Sequence, residues 1–346
     1  MEEIAEKFAA YLSHKMPQAS AMAVEGISRI HGGASRETYR LTARWQEGGK
    51  EVSRPLILRR DPVASLIETE RDLEFNAYRA FHPTGVPVPE PFFLETDEKW
   101  LERSFFVMEQ IEGCQAASPF SPDPYGDLAP KIGPQFFTIL GKIAAQDPDA
   151  IGLGESMEKP APEECWKREL DYWEGEIDKD TLIAQPIAKG AIRWLRRNPP
   201  PPPKELRVVH GDYRTGNFLF NDAGEIKSIL DWEMCHLGDP LEDLAWACDP
   251  LWAFENEEKP GGLLPRADAL KLWEEASGLT IDPKAFAWWE IFAMVKGLAI
   301  WISAGKEYQA GNNTDPVMAL SSWYCTDVHN RLLSKRMQEI AEEDAA

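Results

Sequence analysis

The sequence predicts an α+β protein in two lobes, a small antiparallel sheet with a helix packed on it, then a larger and mainly helical part. Three observations carry this. The chain has 346 residues, more than one small core usually organises. Its first lobe, residues 1–110, alternates short β-type runs with a longer helical run. Its second, residues 111–346, turns to helical periodicity after Gly113.

The elements follow in order. Glu3 to Lys15 places Ile4, Phe8, Tyr11 and Leu12 at helical spacing. Val24 to Ile30, Thr38 to Arg44 and Arg54 to Leu58 read as strands. The first two are joined by His31 to Glu37, which carries Gly32, Gly33 and Ser35. A helix is expected over Leu66 to Phe81, an extended connector over Pro83 to Pro91, and strands at Phe92 to Thr96 and Leu101 to Gln110. Ile132 to Gln146, Pro162 to Ile177 and Thr181 to Arg197 read as helices, and Pro199 to Pro203 as a stiff spacer. Short strands follow near Val208, at Phe218 to Asn221 and at Ile226 to Leu230. Asp239, Pro240 and Glu242 spell a capping box, so a helix is expected to begin at Pro240. The remainder is helical and rich in tryptophan. Trp246, Trp252, Trp273, Trp288, Trp289, Trp301 and Trp323 are read as core in preference to an aromatic cage for a cation.

Composition narrows the class. The formal net charge is -21, which repels nucleic-acid backbones and anionic membrane alike. The five cysteines are odd in number and lack CxxC spacing, and the N-terminus has no signal-peptide pattern. The longest apolar stretch, Trp288 to Ala304, contains Glu290 and Lys296 and reads as a buried helix. A cytoplasmic protein is the expectation.

The informative segment is VVHGDYRTGNFLFNDAGEIKSILDWEMCHLGDPLEDLAWACD, Val208 to Asp249. A short strand delivers His210, Gly211 and Asp212 onto a loop. Asn217 follows, and a hairpin turning at Asn221 to Gly224 ends at Asp231. The hairpin brings Asn217 and Asp231 together although they are fourteen residues apart. An amide oxygen beside a carboxylate suits Mg²⁺. Asp212 is then placed to accept the proton of an attacking hydroxyl, the layout D-x-x-x-x-N plus a metal-binding Asp that serves phosphoryl transfer.

HGDYRTGN, ILDWE and GDPLEDLA resemble the aminoglycoside phosphotransferase/choline kinase family, closest to the branch related to acyl-CoA dehydrogenase-associated proteins. The resemblance runs over most of the chain. It implies a bilobal protein-kinase-like fold with ATP in the cleft, ATP and Mg²⁺ as cofactors, and a small-molecule alcohol as acceptor. By it, Asp212 is the catalytic base, His210 shapes the catalytic turn, and Asn217 and Asp231 hold the metal. Gly32, Gly33, Ala34 and Ser35 form the nucleotide-covering loop. Arg59 stands where such families place a Lys, with Arg60 as rival, and Glu74 is its partner, with Glu70 a second candidate. Met108, Glu109 and Ile111 lie in the hinge that binds adenine.

Two departures bear on substrate. His-Gly-Asp lacks the arginine that reads a phosphorylated loop, and only seven residues separate Asp231 from Asp239. Both favour small molecules over proteins. The expected acceptor is a hydroxy acid or its CoA thioester. The alternatives are an aminoglycoside or choline-type amino alcohol and, outside enzymes, a nucleotide-binding pseudokinase. Asn312 and Asp315 lie in a loop assigned by position to substrate.

Overall fold

The computed structural model describes residues 1–30, 37–61, 72–118, 121–253 and 255–345. The chain divides into two compact units. The first comprises Met1–Thr84 and Val88–Glu112; the second comprises Gly85–Pro87 and the chain from Gly113 onward. The three connector residues join the second unit because Pro87 O accepts the amide of Ile229 at 2.8 Å.

The first unit is a five-stranded antiparallel sheet. Its strands are β1 (Ser20–Ile30), β2 (Glu37–Glu47), β3 (Lys50–Arg60), β4 (Pro91–Glu95) and β5 (Phe105–Glu109), in the order β1-β2-β3-β5-β4. Side chains alternate across a strand, so one face is greasy. Tyr39, Leu41, Ala43 and Trp45 of β2 and Leu56 and Leu58 of β3 form that face. Helix α1 (Glu2–Lys15) covers it with Phe8, Tyr11 and Leu12, Tyr11 lying 4.8 Å edge-on from Phe105. Helix α2 (Leu73–Phe81) meets Phe106 with Phe75 and Tyr78. Of the helix expected over Leu66 to Phe81, residues 62–71 lie outside the described residues. Residues 101–104, expected in a strand, precede β5 as a turn.

The second unit is mainly helical. It carries β6 (Cys114–Gln115), α3 (Ala129–Ala144), α4 (Cys165–Asp180), α5 (Pro186–Arg197), β7 (Arg207–Val209), β8 (Phe218–Asn221), β9 (Ile226–Ile229), β10 (His236–Gly238) and α6 (Leu241–Ala247). Then come α7 (Arg266–Ser277), α8 (Pro283–Ala310), α9 (Pro316–Leu320) and α10 (Thr326–Ala345). α8 is its axis, with α4, α5, α6 and α10 packed around it. It is long and apolar enough to cross a membrane by length and composition, yet most of it is buried inside this unit. A helix apolar all round needs such a coat. Of the seven tryptophans expected in the core, six are buried and Trp323 is 73% exposed. Trp323 sits in a single π-helical turn, Ser321–Cys325, which rotates its side chain out of register with the helix before it. Asp315, expected to face substrate, instead caps α9 by accepting the amide of Val317 at 2.9 Å.

Candidate active site

In the second unit, β7 pairs antiparallel with β10, and the loop that follows holds His210, Gly211 and Asp212. His210 is fully buried. Its Nδ1 accepts the amide of Asp212 at 3.1 Å, so the ring proton is on Nε2, which donates to Leu230 O at 2.9 Å. Burial pushes His210 down to about 4, which keeps this neutral tautomer at ordinary pH. The ring thus ties the loop to the end of the hairpin. Gly211 has φ +86, and a Cβ there would stand 2.4 Å from Met234 O. This explains why glycine occupies the position where protein kinases carry arginine.

Asp212 is anchored on both oxygens. Oδ1 accepts Trp246 Nε1 at 2.8 Å and Arg214 Nε at 2.9 Å; Oδ2 accepts Asn217 Nδ2 at 2.6 Å. The carboxylate keeps 16% of its side-chain surface exposed, enough to be reached. Asn217 Nδ2 also donates to Asp212 O at 2.9 Å. Two acceptors fix the amide's orientation and leave Oδ1 as the ligand atom.

The hairpin pairs Phe218 with Ile229, and Leu230 N donates to Asn217 O at 2.9 Å. Asp231 is the next residue, held left-handed at φ 61 and ψ 56 at the start of the turn Trp232–Met234. Asn217 Oδ1 and the Asp231 carboxylate are hard oxygen donors, so the residues present fit Mg²⁺.

Three contributors escaped sequence reasoning. Asp243 accepts the amides of His210 and Gly211 at 2.6 and 2.9 Å and so holds the loop from below. Burial pushes it up to about 6, against those two bonds. Trp246 is core, as expected, and also a donor to the base. Arg214 pairs with Asp212 and stacks 4.9 Å over Trp252. GDPLEDLA supplied an acidic signal for Asp243, but no spacing rule distinguished it from its neighbours.

The capping box is corrected in part. Asp239 Oδ1 accepts the amide of Leu241 at 2.9 Å, as a cap would. Glu242 does not reach back; its carboxylate pairs with Lys296 at 2.9 Å and His236 at 3.1 Å. That buried ion pair holds the Glu242 side chain away from the helix start.

In the first unit, Arg59 and Arg60 sit on opposite faces of β3. Arg59 pairs with Glu74, both buried, and Tyr78 OH donates to Glu74 at 3.1 Å. Arg60 pairs instead with Glu37 at 2.6 Å, which removes it as the rival. Met108 lies in β5 opposite Ile57. The Glu109 amide is spent on Glu90 O at 2.8 Å, so only its carbonyl can face adenine. Among the described residues, the Ile111 amide has no backbone partner. Gly32, Gly33, Ala34, Ser35 and Glu70 lie outside the described residues.

A model of the phosphotransferase enzyme family matches residues 26–279, spanning the Asp212 loop and its hairpin. The chain belongs to this family. This phosphotransferase is 28% identical to acyl-CoA dehydrogenase family member 11 of Gallus gallus, over 67% of its own length and 28% of that protein's. It is 26% identical to the probable acyl-CoA dehydrogenase IBR3 of Arabidopsis thaliana, over 83% and 37% respectively. It therefore spans well under half the length of these curated relatives. In fold it is similar to an aminoglycoside-phosphotransferase-like protein of Ralstonia eutropha, with TM-score 0.74, 20% identity and 96% and 98% of the two chains covered. The aminoglycoside phosphotransferase APH(4)-Ia, solved with AMP-PNP and hygromycin B, aligns at TM-score 0.55 and 15% identity over 96% and 99%. The phosphotransferase thus has the kinase-like α+β fold.

Proposed function

We propose that the phosphotransferase moves the γ-phosphate of ATP, with Mg²⁺, onto the hydroxyl of a hydroxy acid or hydroxyacyl-CoA. The single observation that carries the kinase chemistry is Asp212 bound through Oδ2 to the Asn217 amide nitrogen, which leaves the amide oxygen as a candidate metal ligand. Oδ1 of Asp212 already takes two donors while Oδ2 takes one. Oδ2 is the atom with capacity left to accept the alcohol's proton as the oxygen attacks. Arg214, on Oδ1, and Trp246 keep the carboxylate from rotating away. Asn217 Oδ1 and Asp231 would hold Mg²⁺, which when bound neutralises phosphate charge. Arg59, braced by Glu74, would meet the phosphates, with Gly32, Gly33 and Ser35 covering them. Adenine would take the Glu109 carbonyl and the Ile111 amide, beside Met108. The pseudokinase alternative is less favoured because Asp212, Asn217 and Asp231 are all present and hydrogen bonds hold the first two.

The acyl-CoA dehydrogenase names of the curated relatives support the acceptor class. An amino-sugar acceptor is the second reading, supported by the hygromycin B bound to the structural neighbour and by the chain's net charge of -21. A reducing, cytoplasmic setting is part of the proposal and suits an odd count of five cysteines with no CxxC spacing. The test is Mg²⁺-dependent ADP release across 3- and 4-hydroxyacyl-CoAs, free hydroxy acids, choline and kanamycin-type aminoglycosides. Turnover with the acyl-CoAs or acids alone is the expected result. Turnover confined to choline or the aminoglycosides replaces it with the second reading.

A further inference from the structure

The apolar helix α8 carries Lys296 near its centre, 1% exposed. An ammonium is costly to bury without a partner. Its Nζ donates to Glu242 Oε1 at 2.9 Å and to Gly211 O at 2.6 Å. It also lies 5.6 Å from the ring centres of Trp173 and Trp246. Behind Glu242 stands His236, 3.1 Å away, with Glu169 at 3.6 Å from the same Nε2. Glu169, His236 and Glu242 converge closely enough to suggest a metal centre. The Lys296 ammonium already supplies the cation, and Arg168 pairs with Glu169 at 2.9 Å. The cluster is therefore a set of ion pairs that reaches the Asp212 loop through the bond from Lys296 to Gly211 O.

That bond falls on a sensitive peptide. The bond between Gly211 and Asp212 has its carbonyl held by Lys296 and its N–H held by His210 Nδ1. With both polar groups fixed, the peptide plane is fixed, and so is the direction in which Asp212 leaves it. Trp246, over which Lys296 lies, is the indole that donates to Asp212 Oδ1.

We propose that Lys296 is a positioning residue for phosphoryl transfer: it locks the Gly211–Asp212 peptide and backs the Trp246 indole, so that the catalytic carboxylate faces the acceptor hydroxyl. The inference rests on the assignment of Asp212 as the base. Lys296→Met alone strands the Glu242 carboxylate in the core and threatens the fold, so the Lys296→Met/Glu242→Gln double variant removes both charges together. Glu242→Gln keeps the Lys296–Gly211 bond but leaves the ammonium without its carboxylate, so it serves as control where it folds. In the folded double variant, nucleotide affinity should stay within about twofold of wild type, while kcat falls roughly 10- to 100-fold, as small misplacements of a reacting group do. Hydrogen exchange at the amides of Gly211 and Asp212 should quicken about tenfold, since their opening is then local. Glu242→Gln should show neither effect. A folded double variant with wild-type kcat and exchange would overturn the positioning role. Asp212→Asn, run beside it, separates the two ideas: if it too keeps full turnover, the base assignment itself fails, whereas its inactivation beside an unaffected double variant removes only Lys296.

Discussion

Asp212 is useful as a base only because four neighbours agree on where it points. Trp246, Arg214 and Asn217 bind its oxygens and His210 binds its amide. Asp212→Asn removes the proton acceptor and turns an NH2 group toward one of its donors. Turnover should fall about 10²- to 10⁴-fold, well beyond any change in nucleotide affinity; steady-state kinetics with nucleotide titration check it, and wild-type kcat would exclude the assignment. Gly211 makes a second demand. At φ +86 with Met234 O 2.4 Å from any Cβ, Gly211→Ala must push the loop or the Met234 turn aside. The cost should be about 1–3 kcal/mol of stability, the usual scale of such strain, together with most of the activity. Urea denaturation measures the first and kinetics the second. A variant of native stability would mean that the turn yields freely.

β10, α6 and α8 meet at His236, Glu242 and Lys296, and their stability should depend on pH through the histidine. Burial alone would lower His236, but Glu169 and Glu242 outweigh it and raise it from 6.5 to about 9. A raised value means that the folded state holds the proton more tightly. Its contribution is complete below pH 6.5 and is lost as pH climbs through about 9. The loss should approach about 3 kcal/mol. Denaturation midpoints at pH 6, 7.5 and 9 should fall accordingly, and His236→Gln should flatten that slope; an equal slope in the variant would place the titration elsewhere. The same elements mark the limit of reading sequence. Asn217 and Asp231 flank one hairpin, so strand periodicity alone predicted their meeting. Arg59 and Glu74 are only 15 apart. The Asp243, Trp246 and Lys296 partners of the loop lie 32, 34 and 85 residues away from theirs, and residue spacing carries nothing about such contacts. One signal was visible: a lysine inside an apolar run must find an anion or a carbonyl, which is what Lys296 does.

For the whole molecule, the change from period 2 to period 3.6 near residue 113 foretold a sheet unit followed by a helical one, because each period dictates which face is buried. It did not foretell the π-helical turn that exposes Trp323, since one extra residue per turn leaves no trace in hydrophobic spacing. ATP binding to the folded protein should stabilise it by mass action. At a hundredfold excess over Kd this amounts to about 2.7 kcal/mol, visible as a melting shift of several degrees. Asn217 and Asp231 are the proposed metal ligands, so EDTA should remove most of the shift in wild type. Asp231→Asn should lose the Mg²⁺-dependent part while Arg59→Met weakens nucleotide binding with or without the ion. Equal shifts for ATP with Mg²⁺ and with EDTA would contradict the metal assignment of Asn217 and Asp231. Full shifts in Arg59→Met would instead contradict the replacement of lysine by arginine on β3.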